Sequence, residues 1–265
     1  MACLVSADTL FMQSSCDSSI CEMMVDVIII EGDERYWWYM NVEMDFDRLI
    51  EEAQQAHFAG WDFSWLAGRK VQSGLPWNYR DIVIAYMQDS EAMLDMDTGG
   101  GEFLAQLPFR SPFTCATENY PPNIPIAKAR LGQLGIEVYQ YGEDNVLPFG
   151  DRQFDLVINR HGEYDLTEIW RVLQPGGVFL TQQVGANNEI ELNEFLTPGI
   201  PPMYSGDEFA FENLIKACKQ EGFDMRRAET AGVPSDYLDI GAVVYQLKVI
   251  SWQIPDFTVA AYHDR

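Results

Sequence analysis

The strongest concentration of residues able to do chemistry is the run Met93-Leu94-Asp95-Met96-Asp97-Thr98-Gly99-Gly100-Gly101-Glu102. An apolar stretch ends in an acid, passes through three glycines and opens a helix. Glycines at such a point tighten a turn and let the backbone come close to a ligand. The N–H groups that begin the next helix suit an anionic group. No Lys-Ser or Lys-Thr follows, so this is not a Walker loop, and the GxGxxG spacing of a dinucleotide site is absent. Taken alone, the run is a turn or a ligand cradle in equal measure. Glu118, about 20 residues further on, is placed to accept both hydroxyls of a ribose diol; otherwise it is a solvated acid before a Pro-rich turn. The segment Tyr141-Gly142-Glu143-Asp144-Asn145 offers acceptors for an adenine amino group, and Asn159-Arg160-His161 forms a fourth polar cluster.

These clusters need elements to position them. Apolar runs at 92–96, 113–117, 137–141, 154–159 and 178–184 read as strands. They alternate with helical stretches at 102–107, 124–134, 163–173 and 188–195. That alternation predicts an α/β fold, a mostly parallel sheet with helices on both faces. In an open parallel sheet ligands bind at the carboxyl ends of the strands, so all four clusters fall on one rim. Ser205 with Glu208 predicts a capping box for a helix running to about Glu221, stopped by Gly222. Residues 223–229 and 242–250 read as two late strands forming an antiparallel edge. Upstream, residues 44–58 and 79–88 read as helices, with an aromatic loop region over 60–77 between them. Residues 1–34 carry seven acids and no base, with at most one strand or short helix near Met23 to Ile30. The aromatics Tyr36 to Tyr39 either cap a pocket or pack on the main domain. The chain thus divides into an N-terminal extension, 1–89, with an acidic start, helices and a possible lid, and a domain over 90–265.

Composition narrows the function. Forty-one acids against 17 bases give a net charge of −24, which repels phosphate backbones and anionic membrane surfaces. Bulk nucleic acid and membrane are therefore excluded as partners. No apolar stretch is long enough to span a bilayer, and the first basic residue is Arg35, unlike a secretory leader. A cytoplasmic location is expected. Cys3, Cys16, Cys21, Cys115 and Cys218 are odd in number and sparse, which argues against a disulfide framework. Cys16 and Cys21 lack the partners a zinc site needs, so no metal is expected.

With these pieces in order, the sequence resembles the class I S-adenosylmethionine-dependent methyltransferases over about residues 90 to 250. The resemblance rests on Leu94 to Gly101, Glu118, and Gly142-Glu143-Asp144 with Leu147-Pro148-Phe149. It continues through Phe154 to Asn159 and Leu173-Gln174-Pro175-Gly176-Gly177-Val178-Phe179. The segments 61–65, 75–79 and 252–257 resemble an uncharacterised bacterial branch of that superfamily. The resemblance implies a Rossmann-like seven-stranded sheet whose last strand inserts antiparallel, and S-adenosylmethionine as cofactor. It implies that Asp95, Thr98, Gly99, Gly100 and Gly101 hold the methionine portion and Glu118 the ribose. Asn119 would lie beside the adenine, and Glu143 or Asp144 would face its amino group. Asn159, Arg160 and His161 would lie by the sulfonium and the acceptor.

Asp97 departs from the family, which has glycine there; its side chain either bonds the methionine amino group or weakens binding. His161 is the best candidate for a general base, ahead of Glu163 and Tyr164, with a purely pocket-shaping role as the alternative. The function expected is methyl transfer to a small-molecule acceptor by direct displacement. The alternatives are a catalytically silent module of the same fold and, behind it, a nucleotide-dependent oxidoreductase.

Overall fold

The computed structural model describes residues 45–142, 145–202 and 210–263. In chain order the elements are α1 (45–55), β1 (Lys70–Gln72), α2 (Tyr79–Met87), β2 (Ala92–Met96), α3 (Glu102–Ala105) and β3 (Phe113–Thr117). They continue with α4 (Ile124–Gly132), β4 (Glu137–Tyr139), β5 (Phe154–Arg160), α5 (Leu166–Val172), β6 (Leu173–Gln182) and α6 (Ile190–Leu196). The chain closes with α7 (Phe211–Glu221), β7 (Ser235–Tyr237), α8 (Ile240–Val249) and α9 (Val259–Tyr262).

The strands β2 to β6 form from short apolar runs whose alternate residues are buried on opposite faces. Met93, Ala116, Val138, Leu156 and Ile158 pack against Val83 and Met87 of α2, Leu104 of α3 and Leu131 of α4. Leu94, Met96, Cys115 and Val157 pack on the other side against Ile169 and Val172 of α5. Side-chain caps fix where the helices start: Asn78 accepts from the Asp81 N–H, Asp165 from the Thr167 N–H, and Asp239 from the Ala242 N–H.

The sheet runs β4-β3-β2-β5-β6, every pair parallel. Strands β3 and β4 extend from one side of β2, and β5 and β6 from the other. The order therefore reverses between β2 and β5, and a crevice opens there at the carboxyl ends. Register places Asp95 opposite Ile158 and Met96 opposite Asn159 across this point.

Two expectations fail. Among the described residues the sheet has five strands, all parallel, and no antiparallel last strand. Residues 242–250, expected as a strand, lie in α8 and its C-terminal cap. The β-branched pair Val243-Val244 misled because α8 is buried on most of its circumference. Ala242 and Tyr245 enter one apolar cluster and Leu247 another, so no single face stands out in the sequence. The sharper signal was Asp239, a helix cap. Residues 223–229 are also not a strand. Phe223 packs edge-on against Trp170, and Arg227 pairs with Glu229 on the surface. Helix α7 starts at Phe211; the proposed capping pair Ser205 and Glu208 lies outside the described residues, as do Met23 to Ile30 and Tyr36 to Tyr39.

Outside the sheet, the two ends of the described chain join. Strand β1 pairs antiparallel with β7, Lys70 opposite Tyr237 and Gln72 opposite Ser235. Ile50, Ala53, Leu66, Tyr237, Ala242 and Tyr245 share an apolar cluster, in which Trp65 stacks on Tyr245 at 4.6 Å. The Lys248 ammonium donates to the carbonyls of Ala53, Gln54 and Ala56, a cation placed at the C-terminal end of α1. Among the described residues no helix is long and apolar enough to cross a membrane.

Candidate active site at the sheet crevice

Strand β2 delivers Asp95 and Asp97 to the crevice. Asp95 is buried, and its carboxylate accepts the Thr98 hydroxyl at 2.6 Å. Asp97 follows with φ +51°. That left-handed backbone is what makes glycine usual at this point; aspartate is among the few other residues that adopt it readily. Its N–H donates to the Thr117 hydroxyl at 3.2 Å, and its carboxylate accepts the Tyr141 hydroxyl at 3.0 Å. Across the crevice it meets Gly162, where an added Cβ would come 2.6 Å from the Asp97 Cβ and 2.8 Å from the Asn159 amide. Only a residue without a side chain fits there.

Strand β3 delivers Glu118, also buried. Its carboxylate accepts the Tyr120 N–H at 2.7 Å and is bonded further by the N–H groups of Gly99 and Asn119. The acid and the glycine turn are thus one unit. The turn leads into α3, which is only four residues long, so anion binding by a helix dipole has no footing here. What the turn offers is close backbone approach.

The electrostatics of the three acids agree. Burial, with Asp97 and Glu118 nearby, pushes Asp95 up to about 7 despite the Thr98 hydrogen bond. Burial raises Glu118 to about 7, with Asp97 adding to it. Burial raises Asp97 to about 6, and Glu163 contributes. Among the described residues none of the three carboxylates is in an ion pair. The site is therefore short of positive charge, and a cationic ligand would be drawn to it.

The other expected residues fall into place unevenly. Asn159 is fully buried; its amide nitrogen donates to the Met96 carbonyl at 3.4 Å and its oxygen accepts from Gln183 at 2.6 Å. Asn119 accepts the Tyr141 N–H at 3.0 Å, tying the ends of β3 and β4 together. Thr98 faces Asp95 as described. Arg160 turns away, its guanidinium 5.8 Å from the rings of Tyr79 and Phe103. His161 adopts φ +62° directly after β5, its N–H bonded to the Gln182 carbonyl at 3.0 Å. Desolvation by the surrounding protein, with the Arg160 charge, lowers its imidazole to about 4 even though the residue is exposed. The ring is neutral at pH 7 and a weak base. Glu143 and Asp144 lie outside the described residues.

Sequence reasoning missed Tyr141, Gly162 and Gln183 as members of the site. Tyr141 opens the polar run already singled out, so its hydroxyl was findable; Gln183 lies just past the end of β6 and carried no signal. A small depression beside Tyr141 is lined by Met96, Leu147, Glu163 and Tyr164. A larger cavity of about 460 Å³ lies between Gln54, α8 and the segment after it, and none of the crevice residues lines it.

S-adenosylmethionine fits this donor set. It presents a sulfonium and an ammonium to a site with unpaired buried carboxylates, and a ribose diol to an acid that can accept from it. Residues 94–181 match the family described as the methyltransferase domain. The chain is 25% identical to a ubiquinone/menaquinone biosynthesis C-methyltransferase of Zymomonas mobilis over 195 residues, 64% of this chain and 81% of that protein. It is 31% identical to a demethylmenaquinone methyltransferase of Deinococcus radiodurans over 112 residues, spanning 38% of this chain and under half, 46%, of that protein. Among solved structures it is similar to a methyltransferase from Aquifex aeolicus, with a TM-score of 0.47 and 17% identity, covering 66% of this chain and 92% of the other. The family match over 94–181, which runs from within β2 almost to the end of β6, gives this part of the chain a methyltransferase domain of the S-adenosylmethionine-dependent class.

Proposed function

We propose that the crevice between β2 and β5 transfers a methyl group from S-adenosylmethionine to a small-molecule acceptor, in the cytoplasm. The observation that carries this is the set of three carboxylates around a glycine turn, Asp95 and Glu118 buried and Asp97 half-buried, none of them in an ion pair among the described residues. When bound, the cofactor supplies an electrophilic methyl on a positive sulfur. The chain's own part is alignment, which brings a large share of the rate in a direct displacement. Asp95, with Thr98 and the turn Gly99 to Gly101, holds the methionine end. Glu118 takes the ribose hydroxyls with Asn119 beside the base, and Glu143 or Asp144 takes the adenine amino group. Asn159 and His161 stand on the acceptor side of the crevice, while Arg160, turned towards Tyr79 and Phe103, takes no direct part.

Proton removal from the acceptor needs a base whose pKa lies near the working pH. His161, at about 4, is poorly matched and serves better as a neutral hydrogen-bonding group. Asp97, at about 6 and in contact with Tyr141, is the better match. The names of the two relatives make a hydroquinone-like ring the first acceptor to try. A ring carbon becomes nucleophilic once a neighbouring hydroxyl gives up its proton, which is the task Asp97 is suited to.

The test is calorimetric titration with S-adenosylmethionine, followed by labelled-methyl transfer to a panel of small aromatic acceptors. One-to-one binding with transfer is expected. A folded protein that binds neither S-adenosylmethionine nor its demethylated product would overturn the reading. One observation favours a second reading, a silent module: the Asp97 side chain spans the crevice from Tyr141 to Gly162. Cofactor binding that appears only in Asp97→Gly would support it.

A further inference from the structure

Asp97 stands where the family has glycine, and its two carboxylate oxygens are held differently. Oδ1 accepts the Tyr141 hydroxyl at 3.0 Å. Oδ2 accepts no hydrogen bond among the described residues. It lies toward Gly162, 2.7 Å from the point where a Cβ on that glycine would sit. Because Gly162 has no side chain, this oxygen is left open to the space between β2 and β5. A half-buried carboxylate oxygen without a donor is an acceptor waiting for one.

Tyr141 is itself fixed at both ends. Its N–H donates to the Asn119 side-chain oxygen at 3.0 Å, and its ring packs on the apolar cluster that contains Leu94, Met96 and Leu147. The Asp97 N–H in turn donates to the Thr117 hydroxyl at 3.2 Å. Phenol and carboxylate therefore meet between two anchored backbones, one after β4 and one after β2. A carboxylate fixed in advance loses little further freedom when a ligand binds, so more of its attraction is kept as affinity. Donation from the phenol also favours the charged form of Asp97, against the effect of burial.

We propose that Tyr141 is a positioning residue for the cofactor: its hydroxyl holds the Asp97 carboxylate with Oδ2 open to the crevice, where it faces the positive charge of bound S-adenosylmethionine. This rests on the reading above that the crevice binds that cofactor. The aspartate is then a working part of the site, and the tyrosine is what makes it one. The same open oxygen is the one available to an acceptor proton.

The experiment is calorimetric titration of the wild-type chain, Tyr141→Phe, Asp97→Gly and the double variant, with S-adenosylmethionine and, separately, 5′-methylthioadenosine. The second ligand keeps the adenine, the ribose and the sulfur but carries no charge. Tyr141→Phe is expected to weaken S-adenosylmethionine about fivefold and methylthioadenosine less than about twofold. With glycine at position 97 the same change should alter S-adenosylmethionine affinity less than about twofold, because the tyrosine then has no carboxylate to hold. Equal losses for both ligands would make Tyr141 a direct contact to the nucleoside or plain packing, and would overturn the proposal. So would an equal loss in both backgrounds, an unchanged affinity for S-adenosylmethionine, or tighter binding in Asp97→Gly than in wild type. If the double variant does not fold, the comparison of the two ligands in Tyr141→Phe decides; if methylthioadenosine binds too weakly to measure, the comparison of the two backgrounds does. Wild-type protein that binds neither ligand would instead remove the cofactor reading itself.

Discussion

Two groups of buried and half-buried acids in this molecule are treated in opposite ways. Around α1, β1, β7 and α8, Glu189, Glu52 and Asp239 each have a cation. Glu189 is 6% exposed and bonded at 2.8 Å to both the Lys70 ammonium and the Tyr237 hydroxyl. Arg69 bridges Glu52 at 3.0 Å and Asp239 at 3.5 Å while lying over the Trp65 ring. At the ends of β2 and β3, Asp95, Asp97 and Glu118 have hydroxyls and backbone N–H groups but no ion pair among the described residues. The first arrangement is complete by itself. The second gains its missing charge from a ligand. The contrast separates the two groups more sharply than burial does, since each contains buried and half-buried acids.

The largest effect should come from breaking the self-sufficient group. Lys70→Ala leaves Glu189 buried without its cation, and a loss of about 3 to 5 kcal/mol in unfolding free energy is expected by denaturant titration. A loss under about 1 kcal/mol would mean that Tyr237 alone satisfies Glu189, and the two regions would no longer differ in kind. Glu118→Ala should do the reverse. It removes charge-assisted hydrogen bonds to the ligand, so affinity for S-adenosylmethionine should fall by about 1.5 to 3 kcal/mol, roughly ten- to a hundredfold. Stability should fall less than in Lys70→Ala, because backbone N–H groups lose an acceptor but no buried charge is left without its partner; loss of stability without loss of affinity would place Glu118 with the structural acids.

Acidity offers a third way to sharpen the contrast. Asp95 and Glu118 titrate at about 7 and Asp97 at about 6 when folded, against about 4 in an unfolded chain. Between those values the folded state holds more protons. Their contribution to stability is therefore fully present below pH 4 and is lost as pH rises to about 7. Affinity for the cationic cofactor should run the other way, rising from pH 5 to 8, with protons released on binding. Calorimetry in buffers of different ionisation enthalpy reads that release directly, and its absence at pH 6 would mean that the acids are already ionised. The smallest effect should be Asp97→Gly. The glycine relieves a left-handed backbone but forfeits the Tyr141 bond, and a net change within about 1 kcal/mol is expected in thermal unfolding.

The same division explains what the sequence revealed. Strands β2 and β3 were legible to the residue because burial on both faces leaves uninterrupted apolar runs, such as Met93-Leu94 and Cys115-Ala116. The acids that follow them were legible because strand ends in a parallel sheet share one rim. Helix α8 was not, since a helix buried on most sides shows no periodic stripe and Val243-Val244 reads as strand. The grouping of Tyr141, Gly162 and Asp97 was invisible because it depends on left-handed backbone at Asp97 and on a glycine 65 positions away. No local pattern encodes a contact that only the crevice creates.

The pairing of β1 with β7 joins residues 70–72 to residues 235–237, and it has a consequence for the order in which the molecule is made. Synthesis proceeds from the N-terminus, so α1 and the Trp61 strip leave the ribosome long before β7 and α8 exist. The sheet from β2 to β6 can assemble while they wait. The Trp61 indole, which lies against Gly99 of the turn, thus takes its braced position last, when Trp252 and Tyr245 arrive to support the strip around it. In a nascent chain the crevice can form before its cover, and Trp65 and Leu66 lack their partners Tyr237 and Tyr245 until β7 and α8 emerge.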